Sequence, residues 1–309
     1  MSYERIAVMI PCLNEEKTIT KVVNDFKVVL PHSDIYVFDN NSIDGTSKCA
    51  GEAGAIVVHS PNRGKGNVVK HMFEEIDADI YVMCDGDDTY PSSAAIELIN
   101  ALKESDAGMI VGARLQHHMP GSFRLFHKAG NWLVKILVSK LFSIRVTDVL
   151  SGFRVFSREF VKSVPLKSKG FEIETELTLQ AITKNFAIKE IPVHYGLRPE
   201  GSYSKINTFS DGVLIIKAII MILKDYKPLL FFSILAALFF LTSLGTGFMP
   251  IRDYITTRYV SHVPLSILAA SCGIMSAIMI SIGLILDTIS KYQHENFLLF
   301  KKILNQNIK

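Results

Sequence analysis

The sequence predicts an α/β protein in which a soluble domain with a mostly parallel sheet precedes a pair of membrane-spanning helices. In the first half of the 309-residue chain, short apolar runs alternate with stretches that have the spacing of amphipathic helices. Two long segments near the C-terminus contain no charged residue. The composition agrees with a mixed chain. The 49% of apolar residues and the mean hydropathy of +0.27 are high for a soluble protein, whereas 20% of charged residues is too many for membrane helices alone.

The predicted strands and helices follow one another in regular order. The strands are residues 5–10, 35–38, 55–59, 80–84 and 107–112, and the helices between them are residues 15–30, 42–54, 66–76 and 92–103. The first helix places Ile19, Val22 and Phe26 on one face. The second is expected to begin with Ser42 or Asp44 as its N-cap. Because parallel strands need helical crossovers, the alternation indicates a doubly wound sheet.

The two uncharged segments are residues 229–248 and 264–286. At a rise of about 1.5 Å per residue, each is long enough to cross the ~30 Å hydrocarbon core of a bilayer. Lysines lie outside the two spans, whereas the segment between them carries only arginines as basic residues. The flanking lysines are Lys217, Lys224, Lys227, Lys291, Lys301 and Lys302. Since basic residues favour the cytoplasmic side, both ends and the large N-terminal part are expected in the cytoplasm, at the inner membrane.

Four parts are expected along the chain. Residues 1–209 form the soluble domain, residues 210–228 an amphipathic juxtamembrane helix, residues 229–289 the two spans, and residues 290–309 a cytoplasmic tail. Residues 123–144, which are apolar with interspersed basic side chains, are also expected to lie at the membrane surface. For both interfacial segments the alternative is a helix packed on the domain core.

Charge and cysteine content exclude several classes of protein. The net charge of +3 comes from 33 basic and 30 acidic residues, so bulk charge gives no support to nucleic-acid binding. The four cysteines are scattered, with no CxxC pair. A disulfide framework or a zinc site is therefore not expected, and a reducing, cytoplasmic setting fits.

Polar residues follow the predicted strands at the points where these end. Asn14, Asp39 and Asp85 each come just after an apolar run. In open α/β sheets, ligands bind beyond the carboxyl ends of the strands, so these three turns are expected to converge on one site. No GxGxxG follows the first strand and no GxxxxGK[ST] is present, which argues against a dinucleotide fold and a P-loop.

The most informative segment is residues 84–89, which read CDGDDT. Asp85 and Asp87 are separated by one glycine at the end of a buried strand. Two carboxylates this close repel each other unless a cation lies between them. Mg²⁺ or Mn²⁺, which prefers a few carboxylate oxygens plus substrate phosphates, suits such a pair.

Four motifs resemble those of glycosyltransferase family 2, in its polyprenyl-phosphate (dolichol-phosphate mannose synthase-like) branch. They are PCLNEE at residues 11–16, DNNSIDGT at 39–46, DGD at 85–87 and DVLSGFR at 148–154. The match covers roughly residues 5–212, and the two spans resemble the membrane anchor of some members. The resemblance implies a GT-A domain that transfers a hexose from a nucleotide-diphosphate sugar to undecaprenyl or another polyprenyl phosphate at the cytoplasmic membrane face. UDP-glucose or UDP-N-acetylglucosamine is the expected donor.

The resemblance also implies a donor site. Its nucleotide-sugar ligands would be Pro11, Asn14, Glu16, Asp39, Asn41, Arg63, Lys65, Asp85 and Asp87. Asp85 and Asp87 would hold Mg²⁺ or Mn²⁺ on the diphosphate, with Asp88 as a helper. Position 40 is Asn where the family usually has a second aspartate, which leaves the base preference open. Residues 62–66, NRGKG, resemble a basic glycine turn whose backbone can approach a phosphate closely.

On the acceptor side, cations are needed for a lipid phosphate, and arginine suits bidentate phosphate contacts. The expected ligands are Arg114, Arg124, Arg198, Ser204 and Lys205. The expected catalytic residues are Asp87, Asp148 and Arg154, with Asp148 as the base or orienting carboxylate. A phosphate monoester has its second pKa at about 6 and is already mostly ionised, so alignment and charge stabilisation are expected to matter more than a base.

Other interpretations remain open. The donor could be GDP-mannose, or the acceptor a hydroxyl of a glycolipid or soluble molecule. The three glutamates in residues 172–176 have three possible roles. They would border the donor sugar, bind a cation such as Lys205, or only favour the N-terminus of a helix. A processive synthase would need a Q-x-x-R-W segment, which the single tryptophan, Trp132, does not provide. The intact metal motif argues against a non-catalytic scaffold, and two uncharged spans argue against a flippase. The resemblance further implies a homo-oligomer, with a tetramer favoured.

Overall fold

The computed structural model describes residues 4–114, 136, 139–142, 146–170, 172–199, 220 and 222–307. Arg124, Ser204 and Lys205 lie outside the described residues, as do most of the two segments expected at the membrane surface. The chain divides into two compact units, residues 1–218 and 219–309.

The first unit is built on strands and helices in alternation. In chain order they are β1 (Ile6–Cys12), α1 (Ile19–Val29), β2 (Asp34–Asp39), α2 (Thr46–Glu52), β3 (Ile56–His59), α3 (Lys65–Glu75), β4 (Ile80–Met83), α4 (Ala94–Lys103), β5 (Ala107–Arg114), β6 (Arg154–Ser157), α5 (Arg158–Ser163), α6 (Ile173–Thr183) and β7 (Ala187–Val193). All five predicted strands are present, with ends shifted by a few residues. The second helix starts at Thr46, with Gly45 and not Ser42 or Asp44 in the N-cap position.

The strands form one seven-stranded sheet in the order β3-β2-β1-β4-β6-β5-β7. Every pairing is parallel except those of β6, which runs antiparallel between β4 and β5. The sheet is thus mostly parallel, as predicted. Because β1, β2 and β4 are neighbours with the same direction, the loops that follow them meet at one edge.

The core lies between the sheet and its helices. The face of α1 predicted to be apolar is buried through Ile19, Val22 and Phe26. The Phe26 ring meets the Phe153 ring edge to face at 6.5 Å between centroids. Phe153 belongs to the SGFR segment, so this contact anchors that segment in the core at the start of β6.

The second unit contains a short π-helical turn, Ile222–Tyr226, followed by α7 (Pro228–Thr257) and α8 (Val263–Asn307). Both long helices are apolar enough to cross a membrane. Small residues line their contact: a Cβ on Gly283 would lie 3.0 Å from the Phe232 Cβ, and Ser276 Oγ donates to Ala236 O at 2.8 Å. The helix α8 has 45 residues and runs through most of the segment expected to be a tail. At about 1.5 Å per residue, the length of α8 is more than twice the ~30 Å thickness of the hydrocarbon core.

Candidate active site

Asn14 joins the loop after β1 to the loop after β2. Its backbone N–H donates to Ser42 Oγ at 2.9 Å, and its Oδ1 accepts the N–H of Ile43 at 2.9 Å. Asn14 has a φ of 52°, in the left-handed region that asparagine tolerates better than most residues. The turns after β1 and β2 are therefore joined by the hydrogen bonds of Asn14.

Glu16 strengthens the same junction. Its Oε2 accepts the Gly45 N–H at 3.0 Å, and its own N–H donates to Asp44 Oδ2 at 3.3 Å. A Cβ at position 45 would lie 2.9 Å from Glu16 Cδ, so a larger residue there would require the Glu16 side chain to move. Pro11 lies within β1, in register with Phe38 of β2.

Asp39 and Asn41 connect β2 to the segment after β3. Asp39 is buried, its Oδ1 accepts the Ser42 N–H at 3.2 Å, and its carbonyl accepts the Ser60 N–H at 2.8 Å. Asn41 donates through Nδ2 to the carbonyls of Ser60 and Pro61, both at 3.1 Å. The loop after β3 is thereby brought to the same edge of the sheet.

Asp85 of the DGD motif shares a buried cation with a glutamate of α6. Lys65 Nζ lies 2.5 Å from Asp85 Oδ1 and 2.6 Å from Glu174 Oε1. Burial alone would lower the pKa of Lys65, but the two carboxylates outweigh burial and raise it. Lys65 therefore stays charged and neutralises Asp85. The loop that follows β3 is thus tied to the motif that follows β4.

Asp87 faces a second cation. Its Oδ2 lies 2.6 Å from Arg198 Nη2, and its Oδ1 accepts the Thr89 hydroxyl at 2.6 Å. Burial raises the pKa of Asp87, and the neighbouring Asp85 raises it further, whereas Arg198 opposes the shift. The net result is a raised pKa, so Arg198 offsets burial and the charge of Asp85 only in part.

Asp88, the expected helper, is directed to α1. Its Oδ1 lies 2.6 Å from Lys21 Nζ, and its φ is 59°. Among the described residues, no group of three or more His, Cys, Asp or Glu side chains could enclose a metal ion. Asp85 and Asp87 alone fit a divalent cation only if substrate phosphate and water supply the other oxygen ligands, which is the usual arrangement for Mg²⁺.

The SGFR segment packs directly on the metal motif. Ser151 Oγ donates to Gly112 O of β5 at 2.6 Å, and the Gly152 N–H donates to Tyr90 Oη at 3.2 Å. A Cβ on Gly152 would overlap the Asp85 carboxylate, with 2.8 Å to its Cγ. The glycine of this motif is therefore needed for Asp85 to approach the backbone.

Arg154 does not have the place that was expected for it. It is fully buried, and its guanidinium donates to Ser151 O at 2.9 Å and Val149 O at 2.6 Å. A third bond reaches Thr178 Oγ1 at 3.0 Å. Burial lowers the pKa of Arg154, although nearby carboxylates oppose the shift. A guanidinium used in this way does not reach a substrate phosphate, so we assign Arg154 to holding the 148–154 loop rather than to catalysis.

Arg114 and Asp148 form a buried bidentate pair. Arg114 Nε lies 2.6 Å from Asp148 Oδ2, and Arg114 Nη2 lies 2.7 Å from Asp148 Oδ1. The Arg114 guanidinium also lies over the Tyr195 ring at 5.4 Å. Both oxygens of Asp148 are bound by Arg114, so this geometry favours Asp148 as an orienting group over Asp148 as a base.

The basic glycine turn is used differently from the expectation that its backbone approaches a phosphate. A Cβ on Gly64 would overlap Lys169 O, and a Cβ on Gly66 would overlap Ser168 O. The Gly66 N–H donates to Gly170 O at 3.1 Å. Because neither glycine has a Cβ, the backbone of Ser168 and Lys169 can pack against this turn. Of the two basic side chains in the turn, Lys65 is turned inward and Arg63 is exposed.

Four residues of the site were missed or left undecided at the level of sequence: Lys21, Tyr90, Glu174 and Tyr195. Tyr90 follows the metal motif closely, and Glu174 is one of the three glutamates whose role was open. Lys21 lies on an exposed helix face. For Tyr195, which contacts the Tyr90 ring at 5.0 Å, no signal in the sequence pointed to the site.

Residues 7–164 match the family described as glycosyl transferase family 2. The chain belongs to this family. The glycosyltransferase is 27% identical over 293 residues to glycosyltransferase AglJ of Haloferax volcanii, covering 94% of this chain and 96% of that protein. It is also 25% identical over 221 residues to a dolichyl-phosphate hexose transferase of the same organism, covering 72% of this chain and 95% of that protein.

Among solved structures, the glycosyltransferase is similar to glucosyl-3-phosphoglycerate synthase of Mycobacterium tuberculosis in complex with Mn²⁺, UDP-glucose and phosphoglyceric acid. The TM-score is 0.60 at 23% identity, and the match covers 72% of this chain and 80% of that chain. At this level of identity the likeness shows the fold. It confirms the predicted GT-A fold class.

Proposed function

We propose that this glycosyltransferase transfers a hexose from a nucleotide-diphosphate sugar to a polyprenyl phosphate at the cytoplasmic face of the membrane. The observation that carries the proposal is the Asp87–Arg198 ion pair of 2.6 Å. It places a carboxylate suited to a metal–diphosphate complex against a cation suited to a phosphate acceptor. A donor and a phosphate acceptor would then meet at one point, as the transfer requires.

On the donor side, the joined loops after β1, β2 and β3 form the proposed nucleotide pocket. Asn14, Glu16, Asp39 and Asn41 have fixed positions there through their hydrogen bonds. Pro11 and Arg63 are proposed to border the pocket. We favour a UDP-sugar, UDP-glucose or UDP-N-acetylglucosamine, in line with the UDP-glucose bound to the structural neighbour.

A divalent ion, Mg²⁺ or Mn²⁺, is proposed at Asp85 and Asp87, where it would neutralise the diphosphate as it leaves the sugar. The structural neighbour was solved with Mn²⁺, which supports a metal of this class. In the structure, Lys65 pairs with Asp85 and Arg198 pairs with Asp87. A metal ion that binds both carboxylates would compete with these two side chains.

On the acceptor side, the names of relatives support a polyprenyl phosphate, because one is a dolichyl-phosphate hexose transferase and another an undecaprenyl-phosphate mannosyltransferase. Arg198 is the proposed phosphate ligand within the described residues, and Arg124, Ser204 and Lys205 are proposed with it. Arg114 is proposed as a further ligand, which would require its guanidinium to leave the pair with Asp148. Since a phosphate monoester is ionised near neutral pH, these residues need only align it and screen its charge. No proton acceptor is required.

The membrane arrangement belongs to the same proposal. Residues 1–209 form the catalytic domain, residues 210–228 a juxtamembrane helix, and α7 and α8 cross the membrane with both chain ends in the cytoplasm. The last turns of α8 then extend beyond the hydrocarbon core on the cytoplasmic side, where residues 290–309 lie. Two spans make a small anchor, and we propose a homo-oligomer, with a tetramer favoured.

The test uses the full chain in detergent with undecaprenyl phosphate and Mg²⁺ or Mn²⁺. Radiolabelled UDP-glucose, UDP-N-acetylglucosamine and GDP-mannose are supplied in turn, and label is followed into the organic phase. We expect transfer from one donor, lost in Asp87→Asn and kept in the control Asp106→Asn, which neutralises an exposed aspartate. No label in the organic phase from any of the three donors, or equal transfer by the Asp87→Asn enzyme, contradicts the proposal.

A further inference from the structure

Asn40, which stands where the family usually has a second aspartate, lies at the centre of the three joined loops. It is 4% exposed, and its backbone N–H donates to Cys12 O at the end of β1 at 2.8 Å. Its Nδ2 donates to Ser60 O at 3.2 Å and to Asn62 O at 2.8 Å. Its Oδ1 accepts the Gly64 N–H at 2.7 Å. Every polar atom of this buried side chain is therefore used by the segment 60–64.

The pattern of partners requires an amide. Two of the contacts need a donor and one needs an acceptor. The amide of asparagine offers both, whereas an ionised aspartate of the same size offers only acceptors. An ionised aspartate would keep the bond from the Gly64 N–H. It would also place a negative charge against the carbonyl oxygens of Ser60 and Asn62, which is unfavourable in a buried site.

We propose that Asn40 is a positioning residue of the transferase, which fixes the 60–64 loop and does not read the nucleotide base. The inference rests on the proposed function, since it concerns the same donor site. Its side chain is directed to the loop, and both polar atoms of its amide are bonded there. Base preference then depends on Asp39 and the other residues of the pocket.

The position of this loop matters because it leads directly into α3, whose first residue contacts the metal motif. Gly64 precedes Lys65, the first residue of α3, whose Nζ contacts both Asp85 and Glu174. Gly66 is bonded to Gly170, so the start of α3 is held from both sides. A shift of the loop would move Lys65 and thereby the cation that neutralises Asp85.

The experiment compares the full chain with Asn40→Asp and with Asn100→Asp, which makes the same change at an exposed site on α4. Binding of UDP, GDP and ADP with Mg²⁺ is measured by calorimetry, without acceptor. We expect Asn40→Asp to weaken all three by about tenfold with their order of affinity unchanged, as loss of buried hydrogen bonds predicts. A changed order of preference among the nucleotides would overturn the inference, because it would show that position 40 reads the base.

A pH series separates positioning from general damage. When the carboxyl group introduced by Asn40→Asp is protonated, its O–H again donates to a carbonyl, so the binding defect relative to wild type should shrink as the pH falls from about 8 to about 5. Asp39, His59, Arg63 and Lys65 lie on the neighbouring strand ends and loop. These groups are present in wild type too, so the ratio of the variant's nucleotide affinity to that of wild type reports on position 40. A defect that does not change with pH would count against the inference.

Thermal unfolding provides a readout that does not depend on the proposed function. Protonation of the introduced carboxyl group is favoured in the folded state, so its pKa there is raised above the unfolded value, and the stability of the variant is lost as the pH rises through that pKa. The Tm of Asn40→Asp should lie below that of Asn100→Asp at about pH 8 and approach it at about pH 5. If wild type bound no nucleotide, the proposed function would fail, and this Tm comparison would still decide whether Asn40 fixes the loop.

Discussion

Arg198 and Asp87 form an ion pair of 2.6 Å between a residue expected at the acceptor phosphate and a residue expected at the metal. A divalent cation on Asp87 and the guanidinium would repel each other at such a distance. Entry of a metal–nucleotide complex is therefore expected to direct Arg198 away from Asp87 and towards an incoming phosphate. Donor binding would precede productive acceptor binding.

Arg198→Gln tests this relationship. The guanidinium is needed for the acceptor phosphate and not for the donor, so we expect transfer to fall at least about tenfold, as loss of a charged phosphate contact predicts. Affinity for UDP with Mg²⁺, measured by calorimetry, should stay within about threefold of wild type, which is less than the loss of one charged contact. Arg158→Gln removes an exposed arginine paired with Asp77 and is the control. A loss of nucleotide affinity equal to the loss of transfer would assign Arg198 to the donor instead.

Lys65→Met removes the cation shared by two carboxylates. Asp85 and Glu174 would then face each other without a counter-charge, which we expect to destabilise the fold by about 3–5 kcal/mol. Urea unfolding measures the change. Lys70→Met, at an exposed lysine on the same helix, is expected to leave the free energy of unfolding almost unaltered. Adding Glu174→Gln to Lys65→Met should recover part of the loss, and no recovery would show that Lys65 acts by packing alone.

Gly152→Ala places a Cβ where the Asp85 carboxylate now lies. Asp85 is partly exposed and can move, so we expect the chain to fold with an altered metal site. The concentration of Mg²⁺ or Mn²⁺ needed for half-maximal nucleotide binding should rise about tenfold or more, because a misplaced carboxylate coordinates the ion poorly. Gly245→Ala, where a Cβ meets nothing within 4 Å, is the matched control. An unchanged metal requirement in Gly152→Ala would argue against Asp85 as a ligand.

Arg154→Lys distinguishes a structural arginine from a catalytic one. Lysine cannot reproduce the bonds to Ser151 O, Val149 O and Thr178 Oγ1, and the loss should lower stability by about 2–4 kcal/mol. We expect a lower Tm and, below that Tm, a KM for the lipid acceptor close to the wild-type value. Arg5→Lys, at an exposed arginine, serves as the control for the Tm. A raised acceptor KM with an unchanged Tm would return Arg154 to the phosphate site.

The strands β1 to β5 were predictable because each is an apolar run separated from the next by a helix. The strand β7, which runs parallel to β5, was not predicted. The strand β6 was not predicted either, since it begins at Arg154, the last residue of the SGFR motif, and its four residues show no alternation of their own. Its antiparallel place between β4 and β5 depends on where the 148–154 loop lies, and that loop is held by contacts with distant residues.

The amino-acid sequence by itself determined the family, the strand-end positions of the polar motifs, the DGD pair and the two apolar helices, because each depends on residues close together in the chain. Only the tertiary structure decided which charges meet. Lys65 pairs with Asp85 and Glu174, Asp87 with Arg198, and Asp148 with Arg114. These partners lie far apart along the chain, and a buried charge takes whichever opposite charge the packed strand ends bring within a few ångströms. The same reason turned Arg154 from an expected catalytic residue into the residue that holds its loop.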